Sequence, residues 1–320
     1  MLLLERVESS SLKLANTMLR RLHKSDECYT YFLDLSNRLQ AGFEGEQRVD
    51  REWTEITDLG THFLLFNYEF ENEFGSSHQI DTLLITSSFL LIIDIKNITG
   101  RVDYDEDKFQ FIRTRSDGKQ EGFTNPKNQV LRHGQFFDRL FNNYKISFPI
   151  EYAVIFSNPS TIIGNVPVDI PFIHANGLRF HISKLQSKYQ PTLSEKQLNM
   201  LSNDLITNLK RKESRTCIEK GRLKKGVLCQ FCNYEIQMIY QNGNWSCPEC
   251  RVRNKNAFLE ALNDYRLLIS ERIRNREFRE FFGIDSFNVA SKLLSRSSLI
   301  PVGNNKGRYY TIPEDIAGRK

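Results

Sequence analysis

Asp81, Asp94 and Lys96 are residues whose types and spacing fit a chemical task. Gln79-Ile80-Asp81 leads into an apolar stretch, Thr82 to Thr86, and a second stretch, Phe89 to Ile95, ends in Asp94-Ile95-Lys96, with Ser87-Ser88 between the two. Short apolar runs around a polar break predict two paired strands entering a buried sheet. Side chains two apart on a strand leave the same face, which puts Asp94 and Lys96 together. If the strands are antiparallel neighbours, Asp81 comes level with Asp94, and two acids and one cation converge. Carboxylates suit a hard divalent ion such as Mg2+ (or Mn2+), held by one or two protein acids plus substrate phosphate oxygens. The lysine either stabilises charge on a scissile phosphate or, with its pKa lowered by burial, helps to deprotonate an attacking water. The sequence leaves both open, and a solvated strand end would show the same Asp-x-Lys with no chemistry at all.

The elements around this pair read as a mixed α/β arrangement (α+β), a core sheet flanked by helices. Residues 1 to 40 look helical, with Leu12, Ala15, Leu19 and Leu22 at spacings of three and four. Ala41-Gly42-Phe43-Glu44-Gly45-Glu46 then reads as the glycine-led start of a helix carrying Val49, Trp53 and Ile56, where acids suit the helix dipole without further explanation. After the two acid-bearing strands, Arg101 to Thr114 predicts a meander closed by the turn Ser116-Asp117-Gly118. Asn125-Pro126 begins a helix, with Asn as cap and Pro in its first turn, running to about Tyr144 with Gln129, Arg132 and His133 on one face. A strand, Tyr152 to Phe156, and two helices near 177–188 and 194–210 complete the region.

Gly42-Phe43-Glu44-Gly45-Glu46, Gln79-Ile80-Asp81, Asp94-Ile95-Lys96, Gly100 and Asn125-Pro126-Lys127-Asn128-Gln129 together resemble the nuclease-related domain, the NERD family of the restriction-endonuclease-like PD-(D/E)xK superfamily, over about residues 38 to 155. The resemblance implies a restriction-endonuclease-like core and a nuclease site made of Glu46, Asp81, Asp94, Lys96 and Gln129, with Glu44 a weaker alternative to Glu46. Asp81 and Asp94 would hold Mg2+, Glu46 would complete the shell directly or through water, and Gln129 would orient water or a phosphate oxygen. For Gln129 a hydrogen bond that merely anchors the helix start is an equal alternative. The acid of the acid-x-Lys is usually Glu in this family and is Asp94 here; the superfamily admits both.

Cys229-Gln230-Phe231-Cys232 and Cys247-Pro248-Glu249-Cys250 are two Cys-x-x-Cys knuckles around a strand-rich insert with an Asn242-Gly243 turn. Four thiolates at this spacing predict a closed, structural Zn2+ site of zinc-ribbon type. Cys28 and Cys217 are left over, the first read as packed and the second as a remote candidate for a spare ligand. Beyond the ribbon, Ala257 to Phe282 reads as one long Arg-rich helix and Asp285-Ser286 caps a second. A hairpin then carries Lys306 and Arg308 at a polar tip. Helix followed by hairpin looks like the end of a winged helix, with Lys306 and Arg308 placed to touch phosphates, although any small capping domain could share it.

These readings divide the chain into an N-terminal helical segment (1–37), a nuclease-like domain (38–209), a basic linker (210–226), the ribbon (227–254) and a helical, winged-helix-like domain (255–320). Hydrophobic residues at 40% and charged residues at 26% are ordinary for a globular protein. The net charge of +5 is uneven, because residues 206–320 hold 22 Lys or Arg against 12 Asp or Glu. A basic C-terminal part fits nucleic acid, DNA more than RNA, as the partner. No apolar run reaches membrane length and no signal peptide is visible, which predicts a cytoplasmic protein with no membrane partner. The expected function is metal-dependent hydrolysis of phosphodiester bonds. The alternative is a non-catalytic nucleic-acid-binding or regulatory protein that uses the ribbon and C-terminal domain.

Overall fold

A computed structural model describes residues 1–72, 74–216, 218–297, 299–304 and 307–318. Two of the expectations above, for Cys217 and Lys306, lie outside the described residues. The fold is mixed α+β and divides into two compact units, Met1–Ser9 with Arg38–Lys212 and Ser10–Asn37 with Glu213–Lys320. Among the described residues, no helix is long and apolar enough to cross a membrane.

The first unit is built on a six-stranded sheet of β1 (Leu2–Leu4), β2 (His62–Glu71), β3 (Ser77–Thr86), β4 (Leu90–Lys96), β8 (Ile150–Phe156) and β10 (Phe172–His174), in the order β1-β2-β3-β4-β8-β10. The hairpins β2-β3 and β3-β4 are antiparallel, whereas β4, β8 and β10 run parallel. Both faces are covered, so the central strands are apolar on both sides: Leu90 and Ile92 pack with Val130, Phe137 and Phe141 of α3 (Pro126–Asn143), and Leu91, Ile93 and Ile95 with Val49 and with Leu178, Ile182 and Leu185 of α4 (Leu178–Lys188). A second sheet, in the order β7 (Gln120–Phe123), β6 (Gln110–Thr114), β5 (Gly100–Asp105) and β9 (Thr161–Ile163), supplies the expected meander. Gly100 opens it at φ +90°, and a Cβ there would lie 2.5 Å from the Thr114 carbonyl oxygen, so only glycine fits. α5 (Glu195–Thr207) starts from a capping box made by Ser194 and Gln197.

Two expectations fail near the N-terminus. The start of the chain is not helical: Leu2–Leu4 pairs in parallel with β2, and the Met1 ammonium donates to the His62 carbonyl. Nor do glycines begin the helix that carries Glu46. It starts at Tyr29 and runs unbroken to Glu52 as α2, with Gly42 and Gly45 inside it. Gly45 is there for closeness, because a Cβ would meet Asn97 Cβ and Ser157 Oγ at 2.6 Å each. The helical penalty of about 1 kcal/mol for glycine is accepted in exchange for that approach.

In the second unit α1 (Ser10–Arg21) packs against α6 (Ala257–Leu268) through a buried ion pair, Arg21 Nε to Asp264 Oδ2 at 2.8 Å; Arg20 donates to the other oxygen at 2.6 Å. Arg21 Nη1 donates to the carbonyls of Gly226 and Lys224. The ribbon strands β11 (Ile239–Gln241), β12 (Asn244–Ser246) and β13 (Arg253–Asn254) form an antiparallel sheet, with Asn242 and Gly243 both at positive φ as a two-residue hairpin turn requires. The long Arg-rich helix is replaced by α6, a strand β14 (Arg272–Ile273) and α7 (Asn275–Phe282). The chain leaves the helix because the Ser270 hydroxyl takes the Arg272 N–H and Arg272–Ile273 pairs with Thr311 and Tyr310. α8 (Phe287–Arg296) follows, capped by Ser286, and then the hairpin β15 (Ile300–Val302) and β16 (Tyr309–Thr311). Helix, strand, helix, helix, hairpin, with the sheet order β14-β16-β15, is the topology of a winged helix. Ribbon and helices share one core, in which Cys229, Met238 and Trp245 pack with Phe278, Phe282 and Leu294.

Candidate active site and metal centre

The register of β3 on β4 ends at Thr82 opposite Ile93, so the next pair out is Asp81 and Asp94, as the strand reading required. Here the ladder stops. The Ile95 N–H donates instead to Asp81 Oδ2 at 2.7 Å, a side chain taking the place of a backbone acceptor where the strands part. Asp94 is 1% exposed. The Lys96 ammonium lies 2.9 Å from each of its oxygens, but only Oδ1 receives a hydrogen bond in good geometry, and the buried Oδ2 has no hydrogen-bond donor. Lys96 also donates to Gln129 Oε1 at 3.2 Å. Gln129 is held there because Asn125 caps α3, its side chain accepting the Lys127 N–H, with Pro126 in the first turn. Four of the five expected residues thus form a chain of contacts, Asp81 to the β4 backbone and Asp94 to Lys96 to Gln129.

Glu46 sits differently. Its Oε2 accepts from Arg6 Nη1 at 2.5 Å and from Asn67 Nδ2 at 3.3 Å. Arg6 lies buried in the strap after β1, and its other donors reach Asp50 Oδ1 and Oδ2, the Asp81 carbonyl, Thr82 Oγ1 and Asn67 Oδ1. Glu46 and Asp50, one turn apart on α2, therefore grip one guanidinium, which also braces the backbone of Asp81. Glu44 is exposed and accepts from Gln40, away from this cluster. Nothing in the sequence around Arg6 marks it, since its partners are 40 to 76 residues away.

The electrostatics of the group are those of too many acids. Burial and the neighbouring Asp81 push the Glu46 carboxyl up to about 7, against the pull of Arg6 and Asn67. Burial likewise lifts Asp94 to about 7, opposed by Lys96 and reinforced by Asp81. Burial alone would lower the Lys96 ammonium, but Asp94, Asp81 and Glu46 outweigh it and hold its pKa above the ordinary value. Behind Lys96, His133 is buried among Phe70 and His78 and is pushed down to about 4 by burial and by the charges of His78, Arg132 and Lys96.

The cysteines make a different kind of centre. Cys229, Cys232, Cys247 and Cys250 bring their sulfurs within 4.8 Å of one another, with Cys229 to Cys250 at 3.6 Å and Cys232 to Cys247 at 3.7 Å. A tetrahedron with Zn–S bonds of about 2.3 Å has edges of about 3.8 Å, so the four thiols fit zinc. Burial raises the Cys247 thiol, but the backbone N–H groups of Cys250 and Glu249 more than offset it and bring it to about 7. Among the described residues this is the one group that gathers three or more Cys, His, Asp or Glu ligand atoms so tightly; Glu46, Asp81 and Asp94 do not. Arg308, at the hairpin, is exposed and donates from Nε to the Gly303 carbonyl at 3.5 Å.

Residues 41–157 match the family model of the nuclease-related domain. Over this stretch the chain is similar to the nuclease-related domain. The match begins within α2 and ends just past β8, so it takes in all five expected residues and leaves out Arg6. No curated protein and no solved structure matches the chain.

Proposed function

We propose that the nuclease-related domain hydrolyses phosphodiester bonds of nucleic acid, with DNA the favoured substrate, and that it does so with a divalent cation, Mg2+ or Mn2+. The observation that carries this reading is the buried Asp94 carboxylate with an oxygen lacking a hydrogen-bond donor, set beside Asp81 and Lys96 at the parting ends of β3 and β4. Two acids, one with a buried oxygen that meets only the Lys96 ammonium and receives no hydrogen bond, suit a hard cation that keeps waters and takes its other ligands from substrate phosphate. Asp81 and Asp94 would hold the cation and Glu46 would act through water, because its Oε2 is already committed to Arg6. Such a cation supplies polarisation of the phosphoryl oxygen and a more acidic bound water. Lys96 offsets charge developing on the phosphate, and Gln129 fixes the position of the Lys96 ammonium. The four cysteines hold a structural zinc, and the C-terminal helices and hairpin, through Arg308 and, as the sequence suggests, Lys306, contact phosphates.

A second reading, a nucleic-acid-binding protein without turnover, is favoured by the Glu46–Arg6 contact and by the wider spacing of the three acids. Replacing Asp94 by Ala separates the two. A nuclease loses cleavage and keeps binding, whereas native protein that binds DNA but never cuts it under Mg2+ or Mn2+ supports the second reading.

A further inference from the structure

The parallel strands β4, β8 and β10 all end on the same side of the sheet, and their last residues are in register: Lys96 lies beside Phe156, and Phe156 beside His174. Ligands of open α/β sheets bind outside the carboxyl ends of such strands. At this edge a cleft of about 580 Å3 opens, walled by Phe156, Ser157 and His174 on the sheet side and by Arg48, Arg51 and Glu52 of α2 on the other. Its floor is tied to the candidate site, because the Ser157 N–H donates to the Lys96 carbonyl at 3.0 Å, and Gly45 lets α2 close on Asn97 and Ser157. Arg48 and Arg51 are one helical turn apart and face the same cleft. Arg48 makes only a 3.4 Å hydrogen bond to Asn97, and neither guanidinium pairs with a carboxylate of the described residues. Two arginines without acid partners in a concave site are a phosphate-binding arrangement.

We propose that this cleft binds the sugar-phosphate backbone of the nucleic-acid strand, with Arg48 and Arg51 as the phosphate contacts, which rests on the reading of Lys96 as part of a nuclease site. Two strand spacings of about 4.8 Å separate Lys96 from His174. That span is short enough for a strand whose phosphate sits at Lys96 to present a neighbouring phosphate to the cleft.

The test is the affinity of the full chain, zinc-loaded and in a buffer without Mg2+ or Mn2+ at several salt concentrations, for 20-nucleotide single-stranded DNA and for RNA of the same sequence, by fluorescence anisotropy. Arg48→Gln/Arg51→Gln is expected to weaken binding of at least one of the two about tenfold at low salt and to reduce the slope of log affinity against log salt by about 1.4, the release of two counterions from a single strand. Unchanged affinity and slope, or native protein that binds neither strand, overturns the proposal. If the double variant melts lower than the native chain, Arg51→Gln alone, at an exposed position, must lower the slope by about 0.7. Binding is read without cleavage, so a native chain that binds through the cleft but does not cut leaves this inference standing while the nuclease reading falls, and a chain that cuts with an unchanged salt slope does the reverse.

Discussion

With one carboxylate oxygen bonded to Lys96 and the other lacking a hydrogen-bond donor, Asp94 carries charge that its surroundings compensate only in part. Asp94→Asn should therefore lower the cleavage rate by about 100-fold or more, the scale of losing one preorganised charged group, and leave the affinity for DNA in buffer without Mg2+ or Mn2+ unchanged. Arg6 acts on the same acids from the other side. Arg6→Gln strands Glu46 and Asp50 in a buried place and should cost about 3–5 kcal/mol in urea unfolding, with Arg6→Lys recovering part of it. A loss below about 1 kcal/mol would mean that the acids find other partners. His133 gives a pH signature. Its ordinary pKa is 6.5 and its folded value about 4, so between these limits the unfolded chain takes up a proton that the folded chain refuses. Stability from this group is intact above 6.5 and falls as pH drops toward 4, by up to about 3 kcal/mol. Glu46 and Asp94, raised to about 7, have the opposite sign, since their penalty is felt above 7 and relieved as pH falls. The difference between native protein and His133→Leu, measured by urea unfolding from pH 7 to pH 4.5, isolates the histidine; no narrowing of that difference as the pH falls would contradict its burial in the neutral form. Of these residues, Asp81, Asp94, Lys96 and Gln129 were legible because strand alternation and a helix cap are local rules. Arg6 was not, because its role exists only once α2, β2 and β3 have met.

The elements divide in the same way. Where a local signal and the tertiary pairing agree, as at the Asn125–Pro126 cap of α3, the Ser286 cap of α8 and the Asn242-Gly243 turn, the sequence predicts the element. Where a distant strand competes, propensity loses. Leu2–Leu4 is drawn to β2, and Arg272–Ile273 is taken out of a helical run by Thr311 and Tyr310. Gly45, read as a helix start, sits within α2 because Asn97 and Ser157 leave no room for a side chain. The clustering of the two Cys-x-x-Cys knuckles was visible in the sequence, since ligand spacing is a property of a few residues, but the sharing of one core by the cysteine-bearing strands and the helices after them was not. That sharing has a consequence. Removal of zinc by a chelator, or Cys247→Ser, should loosen Trp245 against Phe282 and lower the cooperative melting of the whole second unit, read by tryptophan fluorescence and by loss of near-UV circular dichroism. Melting of that unit unchanged in the chelator would argue that the cysteines play no structural part. Arg21→Ala should destabilise the same unit by about 3–5 kcal/mol, because it leaves the buried Asp264 with Arg20 alone.

At the scale of the whole molecule, the two units carry different kinds of chemistry: acids and one lysine at the parting edge of a sheet in the first, a four-thiol centre beside helices and a three-stranded sheet in the second. The uneven charge of the chain follows the same division, with 23 Lys or Arg in the second unit against 15 acids. In the proposed reading a basic second unit would add affinity for phosphates without sequence choice, and the first unit would supply the cutting site. The most direct measurement is incubation of the zinc-loaded full chain with circular single-stranded and supercoiled double-stranded DNA, under Mg2+, Mn2+ or EDTA, beside an Asp81→Ala variant. The account predicts that closed circles are cut with Mg2+ or Mn2+, remain intact in EDTA, and remain intact with the variant. Circles left whole under both cations, with linear DNA and RNA also uncut, would contradict it.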